Sequence, residues 1–207
     1  MKNFFKSLFC KTAISALAGA MVLGVGFQAE AGQQPLSFKM VVSAGAAKCL
    51  PYATARVTLS QYGENQRLHI ETAGLPKNTG FDFFVIQDPV APFGLSWYQG
   101  DVTTNASGNG STDFLGIFSI ETFIVAPGVA AAPVVFHNAF PDVSSNPATG
   151  PVHEYHLGLW FSDPRDAVKA GCAGTVTPFN GTHNAGIQVL NTSNFPLLAG
   201  PLRYFTP

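Results

Sequence analysis

Charge is what this chain has least of. Lysine, arginine, aspartate and glutamate make up 11% of its residues, against about 25% in an ordinary soluble domain. The few there are nearly cancel, with 11 basic and 12 acidic residues. A nucleic-acid binder needs a basic stripe to displace counterions from phosphates, so that class is set aside. Cysteine is also rare, with three residues in all, too few for a zinc ribbon or a disulfide-dense scaffold. No internal repeat of fixed period is visible, and apart from one segment near the start no long apolar run occurs.

That segment reads as an export signal. Lys2, Lys6 and Lys11 make a positive start, Thr12 to Phe27 runs without a charge, and Ala29-Glu30-Ala31 places small residues where a signal peptidase reads. The run falls short of the roughly 20 residues a membrane span needs. Residues 1–31 are therefore expected to be a cleaved signal peptide and 32–207 a single domain, secreted or periplasmic, with no transmembrane segment after cleavage. Cys10 precedes the apolar run and leaves with the leader. Cys49 and Cys172 remain, and in an oxidising compartment such a pair is expected to form one disulfide.

Catalytic motifs are missing as well. Gly94-Leu95-Ser96-Trp97-Tyr98 has the first glycine of a nucleophile elbow but a bulky tyrosine where the second belongs. His153-Glu154-Tyr155-His156 is one residue short of a zinc-protease motif, and its surroundings read as strand. Residues three apart on a strand point to opposite faces. Parity therefore puts His153 with Tyr155, Leu157 and Leu159 toward the core, and His156 with Glu154 and Trp160. With His183 or His137 brought over by a loop, the Glu154–His156 face is the candidate place for a transition metal. No cofactor is otherwise implied. His69, between Arg67 and Glu71, reads as a solvated histidine.

What the sequence has in plenty is alternation and aromatic rings, 18 of them phenylalanine. Leu36, Phe38, Met40 and Val42 alternate with polar residues, as do Ala55, Val57 and Leu59, then Leu68 and Ile70, which predicts half-buried strands. Phe81 to Ile86 and Phe114 to Val125 are apolar on both parities, as strands covered on both sides are. Val152 to Phe161 and Gly186 to Leu190 complete the set. Asn105 to Thr112 carries Gly108 and Asn109-Gly110 and predicts a mobile hairpin tip between two paired strands. Pro127 to Pro133 and Ala139 to Pro151 read as long irregular loops, where function tends to sit. One short helix near 163–170 is marked by Asp163 as its cap, Pro164 at its first position and Gly171 at its end. Phe93, Trp97 and Tyr98, in a stretch with Pro and Gly, are candidates for an exposed binding platform.

The stretch Ala73-Gly74-Leu75-Pro76-Lys77-Asn78-Thr79-Gly80-Phe81-Asp82-Phe83-Phe84-Val85 resembles the corner that leads into a late strand of fibronectin type III and immunoglobulin-like sandwiches, with Phe81 where that family has tyrosine. The resemblance implies a fold, an all-β antiparallel sandwich of immunoglobulin-like kind, and no activity. The expectation is a secreted, non-enzymatic binding or surface-associated module whose extracellular ligand is a polymer, a carbohydrate or a protein. The alternative is a metal-binding protein or metal-dependent enzyme built on His156, Glu154 and a loop histidine.

Overall fold

A computed structural model describes residues 33–126 and 150–207. The leader, His137, Pro127 to Pro133 and all but the end of Ala139 to Pro151 lie outside the described residues. Alternation does what it predicts in the first strands. In β1 (Leu36–Val42), β2 (Thr54–Tyr62) and β3 (Asn65–Ala73), one parity is buried and the other wet. They pair antiparallel in sequence order, and a turn at Gly63 (φ +60°) joins β2 to β3.

β4 (Gly80–Ile86) is buried on both faces from Phe81 onward, as its apolar residues on both parities predict, and the one acid in it, Asp82, is buried with them. It pairs with β5 (Ser96–Thr103) on one side and β9 (His156–Phe161) on the other. β9 pairs antiparallel with β10 (Gln188–Asn191), and β10 meets β1 at Val41 and Val42. With β6 (Gly110–Gly116) against β3, the order is β5-β4-β9-β10-β1-β2-β3-β6. The two end strands approach where Thr104 bridges Gly110 and Thr112 Oγ1 donates to the Asp101 carbonyl at 3.3 Å. The result is a nearly closed, eight-stranded antiparallel sheet around one apolar core.

That closure brings distant residues together. Phe83 of β4 stacks on Phe114 of β6 with ring centroids 5.2 Å apart. Gly100 makes room for the stack, because a Cβ there would stand 2.7 Å from the Phe114 ring. The helix α1 (Pro164–Lys169) forms as its signals predict, with the Asp163 carboxylate accepting from the Arg165 N–H at 2.7 Å. Gly171 turns the chain out of it at φ +78°. Cys172 follows directly and is bonded to Cys49, their Cα atoms 5.2 Å apart. This disulfide fits an oxidising compartment. Among the described residues no helix is long and apolar enough to cross a membrane.

Three strand expectations change. Phe114 to Val125 is not one buried strand. β6 ends at Gly116, a turn follows, and β7 (Phe123–Ala126) starts a separate two-stranded sheet with β8 (Gly150–His153). The Ser119 N–H donates to Thr122 Oγ1, and that hydroxyl donates to the Ile117 carbonyl, so the polar residues inside the run close a turn. Val152 to Phe161 likewise breaks at Glu154 and Tyr155 into β8 and β9. The Asn105 to Thr112 tip joins β5 to β6, which are the two ends of the strand order and meet beside the tip through the Thr104–Gly110 bridge and not along a full ladder. β6 spends its hydrogen bonds on β3 instead.

Candidate functional site

A concave surface of about 1130 Å³ opens between β5, the 117–122 turn and the small β7–β8 sheet. Its walls are Trp97, Ile117, Ile120, Phe123, Ile124, Val125 and Pro151, with Gln99, Glu121, Thr122 and His153 as the polar members. Phe123 and Val125 are 48% and 60% exposed. Apolar side chains reach this surface because β7 pairs only with β8 and leaves one of its faces without a covering layer among the described residues.

The polar lining is mostly committed to local bonds. Trp97 Nε1 donates to Gln99 Oε1 at 3.0 Å. The Tyr155 hydroxyl donates to the Ile120 carbonyl at 2.9 Å and contacts His153 Nδ1 at 2.8 Å, so the imidazole supplies the proton of that second bond. His153 is thus half-buried beside the groove and not in the core, contrary to the parity of a continuous strand. The break at Glu154–Tyr155 resets the alternation.

Among the described residues the candidate metal residues Glu154, His156 and His183 are not gathered. His156 is fully buried, and both of its ring nitrogens are engaged. The Leu197 carbonyl 2.9 Å from Nε2 can only accept, so Nε2 carries the proton and Nδ1 accepts from Thr192 Oγ1 at 2.9 Å. Burial pushes its pKa below the ordinary value, and its backbone partners only partly offset this. Glu154 is also fully buried, and neither of its carboxyl oxygens has a hydrogen-bond partner among the described residues. Desolvation pushes its pKa up to about 8. His183 stands exposed at φ +57° in the turn after Asn180. His69 lies on the wet sheet face with Nδ1 donating to Asp113 at 2.7 Å. Among the described residues no group of three or more His, Cys, Asp or Glu is arranged to hold a metal ion.

The three candidate platform aromatics divide between two surfaces. Trp97 packs against the core and lines the groove. Phe93 and Tyr98 belong to a second cluster on the outer side of β4 and β9, where Phe93 packs on Trp160 at 5.1 Å and Tyr98 on Phe84 at 5.6 Å. Gly158 lets the indole lie flat there, since a Cβ would stand 2.2 Å from the Trp160 ring. Beside this cluster Asp82 and Asp101 face each other across β4 and β5. Burial, more than the neighbouring carboxylate, raises the Asp82 pKa, against the Ser162 hydroxyl that donates to it at 2.6 Å.

Sequence reasoning missed Ile117, Ile120, Phe123, Ile124 and Val125 as surface residues. Apolarity on both parities signalled burial. The only contrary signs were Gly116 and the polar Ser119, Glu121 and Thr122 within the run. No protein-family model matches this chain, and no curated protein matches it either.

Proposed function

We propose that this protein is an exported, non-enzymatic binding module that takes a small apolar or amphipathic molecule in the groove lined by Trp97, Ile117, Ile120, Phe123, Ile124 and Val125. The carrying observation is that groove itself, about 1130 Å³ of concave and mostly apolar surface. Small-molecule sites are concave, largely apolar and supplied with a few polar groups, commonly of about 300 to 1000 Å³, and this groove lies just above that range. Exposed apolar surface of this kind costs solubility and marks a place of interaction. Export is part of the reading and draws on the leader sequence together with the Cys49–Cys172 bond. We also read the nearly closed sheet as the two faces of an immunoglobulin-like sandwich. Support comes from β1, which pairs with β2 over Leu36–Met40 and with β10 only at its last two residues, as a strand at a corner does.

A neutral fluorescent probe, N-phenyl-1-naphthylamine, tests the binding site. It is expected to bind with micromolar affinity and to quench the tryptophan emission of the protein, to which Trp97 and Trp160 both contribute. Val125→Asp alters an exposed side chain and is expected to weaken binding at least about tenfold, one buried charge being worth more than 1.4 kcal/mol, with the melting temperature unchanged. Binding that Val125→Asp leaves intact would overturn the assignment.

A further inference from the structure

We infer that the preferred occupant of this groove is a single-chain amphiphile with a positively charged head, its chain along Trp97, Ile117 and Phe123 and its head against Glu121. The inference rests on the proposed binding role of the groove and adds the chemical class of the ligand.

Among the described lining residues Glu121 is the one carboxylate, and no lysine or arginine accompanies it. Its side chain is in no ion pair with another described residue, and only its backbone N–H is engaged, donating to Ser119 Oγ at 3.1 Å. The other polar members discriminate little between heads. Gln99 is neutral, and its carbonyl already accepts from Trp97. The Thr122 hydroxyl donates to Ile117 and accepts from Ser119. His153 is engaged by Tyr155 through Nδ1. Arg203 acts on Tyr155 from the neighbouring 201–204 turn but is not part of the lining. The one formal carboxylate charge therefore sets the sign of the potential where the apolar trough meets water.

At a protein surface an opposite charge is attracted and a like charge repelled, and salt screens both. Because Glu121 is exposed, water weakens each effect, and about tenfold between an attracted amine and a repelled carboxylate is the expected discrimination at low ionic strength. The groove, about 1130 Å³, has room for an alkyl chain with its head.

Three probes that share a decyl chain and differ only in the head test this: decylamine, 1-decanol and decanoate, each titrated below its aggregation limit by its displacement of N-phenyl-1-naphthylamine. Decylamine is expected to bind about tenfold more tightly than decanoate at low salt, with decanol between them and the difference shrinking at high salt. Glu121→Gln is expected to bring the amine and the carboxylate to equal affinity while leaving decanol unchanged. Decanoate binding as tightly as decylamine to the unaltered protein would overturn the charge preference alone. If none of the three binds, decanol included, the binding role of the groove falls and this inference with it.

Discussion

Glu154 and His156 sit two residues apart, both without solvent contact, and respond to burial in opposite senses. The Glu154 carboxyl is desolvated by burial and has no hydrogen-bond donor among the described residues, so the folded chain keeps it protonated up to about pH 8, against 4.5 unfolded. As pH rises between these values the unfolded chain releases the proton first, and stability is lost. His156 works the other way. Its pKa is lowered from 6.5, so as pH falls below that value the unfolded chain takes up a proton that the native imidazole refuses. Just below pH 6.5 the two slopes therefore oppose, and above it, where only Glu154 still differs between the states, stability is expected to decline toward pH 8. Glu154→Gln keeps the shape and removes the titration. Urea denaturation across this range is expected to show the variant equal to the parent near pH 4 and more stable at pH 8 by roughly 2 to 4 kcal/mol. Two curves that stay parallel would contradict the buried acid. Nothing in the sequence marked Glu154 as buried, because a carboxylate between two histidines reads as a ligand.

Elements with strong local chemistry formed where their residues said. α1 is an example, since Asp163, Pro164 and Gly171 act through bonds and φ angles within a few residues. The helix also delivers Cys172 to Cys49, tying the turn after β1 to the turn after α1 across 123 positions. In the chain-entropy account, closing so long a loop contributes about 4 to 5 kcal/mol, and removal of native bridges commonly costs roughly 2 to 5. The double variant Cys49→Ser/Cys172→Ser is accordingly expected to lose about 2 to 4 kcal/mol in denaturant titration. A parent protein whose midpoint does not move on reduction would refute this. β7 and β8 are the contrary case. With four residues each and Pro151 in one of them, they are too short to announce themselves, and their pairing depends on where the 117–122 turn delivers the chain.

At the scale of the molecule, Gly32–Pro207 forms one compact unit whose first strand begins at Leu36. Its core is shared by strands from all along the chain, with β1 paired to β10 and β4 to β9. Such long-range pairing leaves no half that can bury its apolar face alone. A chain beginning at Gly32, purified with its disulfide intact, is therefore expected to unfold in one cooperative thermal transition. Calorimetry that resolves two transitions would show that the unit divides. The groove belongs to this scale too, since β5, the 117–122 turn and β7–β8 meet there only once the sheet has curled.

The sequence by itself determined the all-β class, the inward and outward parity of β1 to β3, the helix and its cap, and the cysteine pair, because each follows from the nearest few residues or from simple count. Tertiary structure alone decided that β5 and β6 would be opposite ends of one sheet, that the parity of His153 would be reset at Glu154–Tyr155, and that the apolar run after Gly116 would form a wall facing outward. Alternation records which side of a strand is apolar. Whether another layer arrives to cover that side depends on residues far away in the chain.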